Sequence, residues 1–342
     1  MSLDSKHVKK LNEIPYSVLD LAAITRGGSP TESFKNTLSL AQHAEDWGYR
    51  RYWLAEHHNM PGIASSATSV VIGYVAGGTK TIRVGSGGIM LPNHASLVIA
   101  EQFGTLEAMY PGRIDLGLGR APGSDQFTAM ALRRDHRSNG QEFPEQLEQL
   151  MIYLDEDSNN NRVRAIPGEG SEVPIWLLGS SGFSAALAAK LGLPFSFASH
   201  FSADYTLPAL ASYRDHFQPS KVLDKPYAMV GVNVYAADTT EEAKRLATSH
   251  QQQFLGLIRN KPDQLAPPVD SMEGIWTEHE QIILSNQMKS SIIGNPDEVK
   301  VQLQAFLDET QADEMIINSM IYDQKARLRS YEIVAELTGM KN

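Results

Sequence analysis

The chain contains no cysteine, which removes disulfides, thiolate catalysis and cysteine-ligated metals and leaves the redox compartment open. It has no run of about 18 uncharged apolar residues, so no membrane-spanning helix is expected. Its first residues, Met1 to Lys10, are polar and charged and lack the apolar stretch of a secretory signal. The cytoplasm is therefore the expected location, with residues 1–13 as a flexible N-terminal arm. Basic residues are also short, because 30 Lys and Arg against 40 Asp and Glu give a formal net charge of −10. Without a dense Lys/Arg stripe there is no face to neutralise phosphates, so neither nucleic acid nor membrane is an expected partner.

What the chain does have is apolar content enough for a large core: 42% hydrophobic against 20% charged residues, which argues against extended disorder. From Pro15 onward, short runs rich in Val, Ile, Leu and Phe alternate with longer segments whose apolar residues recur every three to four positions. The strand candidates are Tyr16–Leu21, Arg51–Ala55, Thr81–Gly85, Ile114–Leu118, Pro174–Leu178, Phe195–Ala198, Tyr227–Val234 and Glu314–Asn318. The helix candidates are Ser33–Trp47, Ala67–Gly77, Ala95–Tyr110, Phe143–Leu154, Ser184–Leu191, Leu207–Phe217, Glu241–Gln253 and Asp297–Thr310. This alternation predicts an α/β fold, a parallel (β/α)8 TIM barrel over residues 14–342 as one domain, in preference to an open doubly wound sheet. Asn295-Pro296-Asp297-Glu298 marks a helix start, where a missing N–H is harmless and the dipole favours carboxylates. One excursion, Leu255 to Met288, holds Pro262, Pro267, Pro268 and Gly274 and is too long for a simple connection. It reads as an insertion after the seventh strand: a lid over residues 255–288, a disordered segment, or a surface insertion without function.

Ligand-binding residues of such a barrel belong at the carboxyl ends of its strands. The second strand leads into Leu54-Ala55-Glu56-His57-His58-Asn59. Side chains alternate along a strand, so one of the two adjacent histidines can face the barrel mouth. His94 and His200 follow other strands and keep a metal hydrolase as a rival. The third strand ends in Gly85-Ser86-Gly87-Gly88, which suggests a bulge, an unusual dihedral or a flat ligand against bare backbone. After the fourth comes Gly117-Leu118-Gly119-Arg120-Ala121-Pro122-Gly123-Ser124-Asp125, which lacks the third glycine of a dinucleotide fingerprint. Arg120 offers a planar fork for phosphate, with an ion pair to Asp115 or Asp125 as its alternative. The fifth runs through Gly179-Ser180-Ser181-Gly182-Phe183-Ser184 straight into a helix, whose free N–H groups and serine hydroxyls make an uncharged anion cradle. Together these features suit a phosphorylated, planar cofactor better than a metal.

In this order, over most of Pro15 to Asp323, the segments resemble those of the luciferase-like monooxygenases. The carrying motifs are Trp53-Leu54-Ala55-Glu56-His57-His58, Gly87-Gly88 before Leu91-Pro92, Gly117 to Ser124, and Gly179 to Ser184. They are most similar to the bacterial single-subunit branch. The resemblance implies FMN in the barrel mouth against a cis peptide at Gly87–Gly88, with its phosphate on Arg120, Gly179, Ser180, Ser181 and Ser184. It also implies His57 as the catalytic histidine, Glu56, His58, His94 and His200 as substrate-side or supporting residues, and no metal. The implied reaction uses O2 and reduced FMN from a separate reductase to oxidise a small, aldehyde-like molecule, with the cofactor carrying the chemistry. A homodimer through Ala67–Gly77 and Ala95–Tyr110 is implied as well. Gly119 stands where some luciferases carry a cysteine, so light emission is not expected. An FMN or deazaflavin oxidoreductase without oxygen insertion, and a non-catalytic flavin-binding protein, are the alternatives.

Overall fold

The computed structural model describes residues 9–121, 126–132, 140–156 and 162–340. Its strands are β1 (Tyr16–Asp20), β2 (Arg51–Leu54), β3 (Arg83–Ser86), β4 (Ile89–Met90), β5 (Ile114–Gly119), β6 (Ile175–Gly179), β7 (Phe195–Phe197), β8 (Ala228–Ala236), β9 (Ile292–Gly294) and β10 (Glu314–Asn318). Neighbours pair in the order β1-β2-β3-β5-β6-β7-β8-β10, and β10 pairs with β1, closing a parallel eight-stranded barrel. All eight barrel strands coincide with the predicted apolar runs to within a few residues. The short β4 continues the line of β3 beyond Gly87-Gly88 and pairs with β5, while β9 adds to the end of β8 outside the ring.

The helices are α1 (Pro30–Asp46), α2 (Thr68–Gly77), α3 (Ser96–Met109), α4 (Gln126–Leu132), α5 (Phe143–Leu154), α6 (Gly182–Leu191), α7 (Thr206–Asp215), α8 (Thr240–Ile258), α9 (Glu278–Gln287), α10 (Pro296–Thr310) and α11 (Gln324–Thr338). Predicted helix Asp297–Thr310 is real and starts at an Asn295 capping box with Pro296 in its first turn. It precedes β10, however, so the helix that completes the eighth unit is α11, which periodicity did not reveal. The inward face of α11 carries Arg327 and Ser330 among its apolar residues, which breaks the three-to-four pattern. Asp323 at its N-cap and Gly339 in the left-handed conformation at its end are the signals that mark it.

Arg327 is buried because it has a built partner. Its Nη2 donates to Asp20 Oδ1 at 2.8 Å, Thr37 Oγ1 donates to Oδ2 at 2.7 Å, and the Tyr52 hydroxyl donates to the same oxygen. Burial works against the Asp20 charge, yet the Arg327 guanidinium and these hydrogen bonds hold its pKa below the usual carboxylate range. The node ties α1 and α11 to the end of β1.

Inside the barrel, Leu19, Trp53, Trp176, Met229 and Ile316 form one apolar layer, separate from the larger core between strands and helices. Below it the strand starts are charged. Arg51 donates through Nη1 to Asp115 Oδ2 at 2.7 Å and through Nε to Glu314 Oε1 at 3.0 Å, and lies over the Trp176 ring at 4.8 Å. Asp115 also takes Arg83 Nη2 at 2.7 Å and Trp53 Nε1 at 3.1 Å, and Glu314 takes the Tyr227 hydroxyl at 2.8 Å.

Two expectations change. Leu11–Glu13 is a short 3-10 helix with Leu11 buried, and Lys9 Nζ meets Asp313 at 2.7 Å, so the N-terminal arm is anchored from residue 9 on. Residues 1–8 of that arm lie outside the described residues. The excursion expected over 255–288 begins inside α8 and contains α9, with Leu265, Met272 and Leu284 buried. No helix among the described residues is long and apolar enough to cross a membrane.

Arg51→Ala leaves Asp115 and Glu314 buried without their shared cation. We expect it to cost about 3–5 kcal/mol in equilibrium urea unfolding; a loss below about 1 kcal/mol would show that the barrel base does not need the pair.

Candidate active site

A cavity of about 440 Å³ opens at the carboxyl end of the barrel strands, a size within the range of small-molecule and cofactor sites. One wall is bare backbone. The Gly87–Gly88 peptide is cis. A Cβ on Gly88 would stand 2.7 Å from the Gly117 carbonyl oxygen, and one on Gly117 would stand 2.1 Å from the Ser86 carbonyl oxygen. Close approach of β3 and β5 therefore demands glycine, and it leaves a side-chain-free surface facing the cavity.

Beside this wall stands Arg120. Its guanidinium lies over the Phe183 ring at 4.2 Å. Asp115, one expected partner, is engaged by Arg51 and Arg83 at the opposite end of the barrel; Asp125, the other, lies outside the described residues, as do Pro122, Gly123 and Ser124. Gly179, Ser180, Ser181 and Ser184 line the same region. Ser181 is the N-cap of α6 but makes no side-chain cap hydrogen bond, so its hydroxyl and the first-turn N–H groups can take an anion. Arg120, the α6 N-terminus and the glycine wall thus converge on one cavity, a donor set that suits a planar, phosphorylated group.

The predicted histidines divide. His57 and His200 line the cavity. His58 and His94 turn instead to Glu56: each Nε2 meets Glu56 Oε1, at 2.8 and 2.9 Å, and Met90 N donates to Oε2 at 3.2 Å. Burial opposes the Glu56 charge, but these contacts hold its pKa below the usual range. The three groups have the donor types of a cation site and lie within 4.8 Å of one another; their contacts have hydrogen-bond lengths. The adjacent histidines do diverge, but β2 ends at Leu54, so strand alternation does not act on them; their separation, like the trio of Glu56, His58 and His94, is a tertiary product.

His200 fits because residue 231 is glycine; a Cβ there would come within 2.4 Å of its Nδ1. Burial, with His57 nearby, pushes the His200 pKa down to about 4.

Sequence reasoning missed three contributors. Asn318, at the end of β10, donates to Asn233 Oδ1 at 2.8 Å, and Asn233 in turn donates to the His200 carbonyl at 2.7 Å. This chain leaves Asn318 Oδ1 buried in the cavity floor with no partner among the described residues, an acceptor available to a bound molecule. Its place at a strand's carboxyl end was the available signal. His250 reaches the cavity from α8, hydrogen-bonded to the Tyr235 hydroxyl. Nothing local marks it, because α8 reads as an ordinary outer helix.

The excursion roofs the cavity. Leu257, Pro262, Asp263 and Gln287 line it. The segment is latched to the loop after β1 by Arg26 N to Leu265 O at 2.8 Å, Leu265 N to Ile24 O at 2.9 Å and an Arg26–Asp263 ion pair at 3.0 Å.

A family model described as luciferase-like monooxygenase matches residues 14–337. The chain belongs to this family. It is 62% identical over 322 residues to a Bacillus subtilis protein, YvbT, covering 94% of this chain and 96% of that one. It is 53% identical over 324 residues to a luciferase-like monooxygenase of Escherichia coli K12, covering 95% and 97%. The N-acetyl-S-alkylcysteine monooxygenase of Bacillus subtilis is 33% identical, covering 94% and 98%. Among solved structures, apo-MsnO8 superposes with a TM-score of 0.86 at 34% identity, covering 96% and 99%. The oxygenating constituent of 3,6-diketocamphane monooxygenase from Pseudomonas putida, in complex with FMN, has a TM-score of 0.72 at 16% identity over 96% and 99%. As a luciferase-like monooxygenase the chain is an oxidoreductase by family.

Two cavity histidines are held neutral, since burial also pushes His250 down to about 3 from an ordinary 6.5. The unfolded chain binds these protons more readily, so their contribution to folding is fully present above about pH 6.5 and is lost as pH falls towards 4 and then 3. We expect the melting temperature to drop through that window, corresponding to a few kcal/mol in total, and the drop to shrink in His250→Gln. A melting temperature flat between pH 7 and 4 would contradict it.

Proposed function

We propose that the chain is a monooxygenase that uses O2 and reduced FMN from a separate reductase to oxidise a small, aldehyde-like organic substrate in the cytoplasm. The observation that carries this reading is the convergence of the glycine wall, Arg120 and the α6 N-terminus on one cavity that His57 also lines. Arg120, Gly179, Ser180, Ser181 and Ser184 would hold the FMN phosphate, and Gly87, Gly88 and the unpartnered Asn318 Oδ1 would meet its ring system. Support also comes from the FMN complex of a structural neighbour with this fold and from a relative named as a monooxygenase. When bound, the reduced cofactor supplies the electrons that activate O2.

The chain's own residues supply the rest. His57, which lines the cavity, would give or take a proton at the substrate. The latched roof formed by the 255–288 segment would shield a bound ligand from water, as a lid does. Glu56 positions rather than reacts: with both oxygens occupied by His58, His94 and Met90 N, it anchors the chain on either side of His57. Gly119 adds no thiol beside the cavity, in keeping with a dark reaction.

Anaerobic titration with oxidised and photoreduced FMN tests the cofactor assignment. We expect saturable binding, tighter for the reduced form, and roughly 10–100-fold weaker in Arg120→Ala, the scale of a charge-assisted hydrogen bond lost. Absence of binding by both forms would overturn the assignment and direct attention to metal analysis of the Glu56–His58–His94 trio. His57→Asn is expected to bind FMN normally and to lower kcat by about 10²–10⁴. Uptake of O2 coupled to substrate oxidation separates oxygen insertion from a flavin or deazaflavin dehydrogenase.

We also propose a homodimer through α2 and α3. Val70 on α2 is 70% exposed and Met109 on α3 is 59% exposed, with Tyr74 and Val98 adding apolar surface on the same two adjacent helices. Sedimentation equilibrium should report a dimer at micromolar concentration and a monomer for Val70→Glu; a wild-type monomer would refute it.

A further inference from the structure

His250 and Tyr235 form a dyad for which the chemistry above has no use. Tyr235, near the end of β8, is fully buried, and its hydroxyl is hydrogen-bonded to His250 Nδ1. The His250 ring packs on Phe254 with centroids 4.7 Å apart and lines the cavity. With Nδ1 engaged by Tyr235, Nε2 is the nitrogen left for a cavity occupant.

The direction of that hydrogen bond follows from what each group can afford in a dry site. If Nδ1–H donated to the phenol oxygen, the Tyr235 proton would need another acceptor, and Tyr235 has no other hydrogen bond among the described residues. The tyrosine must therefore donate to a bare Nδ1. Burial agrees from both sides: it raises the Tyr235 pKa well above its ordinary value and lowers that of His250, so neither phenolate nor imidazolium is stable. His200 is the other titratable group acting on His250, and its proximity disfavours the cation further. A neutral ring with a bare Nδ1 carries its proton on Nε2.

We propose that His250, oriented by Tyr235, is a specificity-determining residue whose Nε2–H donates to an uncharged acceptor oxygen of the substrate, such as a carbonyl. A neutral donor in a buried, largely apolar wall favours a neutral acceptor, because an unpaired carboxylate would lose most of its hydration there. Along α8, Gln253, Phe254 and Leu257 line the cavity on the same side as His250, following the helix's own spacing. The apolar pair, Phe254 and Leu257, gives the remainder of the substrate an alkyl or aryl character. The inference deepens the proposed monooxygenase reading and rests on this cavity being its substrate site.

The test uses the full chain labelled with 15N-histidine, with and without FMN, and 2-octanone as the neutral carbonyl probe. Long-range proton–nitrogen correlation spectra, assigned by whichever of His250→Gln and Tyr235→Phe folds, should show His250 protonated at Nε2 and unchanged from about pH 5.5 to 8.5. Adding 2-octanone should move that nitrogen resonance, while n-octane should not. Tyr235→Phe should weaken 2-octanone binding by roughly 5–10-fold and leave FMN binding unchanged. An unprotonated Nε2, titration in that range, or a resonance indifferent to 2-octanone overturns the proposal. Failure of FMN to bind while the 2-octanone response persists would remove the cofactor assignment and leave this inference standing.

Discussion

Arg51 lies inside the barrel between Asp115 and Glu314, and the arrangement of the whole interior follows from keeping those charges paired away from water. Burial alone would lower the guanidinium's pKa; the two carboxylates reverse this and raise it above the ordinary value. The three residues come from β2, β5 and β10, strands that meet only when the ring is closed. Their pairing therefore rewards closure and places all polar chemistry of the base at the strand starts. Trp53 and Trp176 cap it with an apolar layer, their rings edge-on at 5.2 Å. Everything above that layer is left for a ligand.

The two ends of the barrel handle charge differently. At the base each buried charge has a counter-charge close by. At the mouth the buried histidines are kept neutral, and among the described residues Arg120 lies over an aromatic ring rather than against a carboxylate. A cavity lined both by neutral histidines and by the Arg120 guanidinium is polarised before anything enters it. The phosphate end and the reacting end of a bound cofactor and substrate would thus meet different environments.

Much of this was legible in the residues. Eight apolar strand runs anticipated the barrel, since strands buried on both faces carry Val, Ile and Leu without alternation. The glycines after the third and fourth strands, Arg120, the serine turn and His57 all occupy the strand ends where a barrel keeps its ligands. Less was legible where one residue serves two purposes. Arg327 and Ser330 hid α11, because polar residues with buried partners look like a solvent face when only spacing is visible. Leu255–Met288 read as a loop, although its end of α8 and the whole of α9 carry the roof.

The local chemistry of this protein, then, was determined by its sequence: which strands exist, which backbone must be glycine, and which side chains stand at the mouth. These depend on residues near one another in the chain and on the fixed periodicities of helix and strand. Only the tertiary structure decided the pairings. It sent His58 and His94 to Glu56, left Asn318 Oδ1 without a partner, and brought His250 onto Tyr235, because each of these depends on which elements become neighbours when the ring closes. Hydrogen-bond partners and burial are properties of the closed barrel, and with them the protonation states on which the site's chemistry rests.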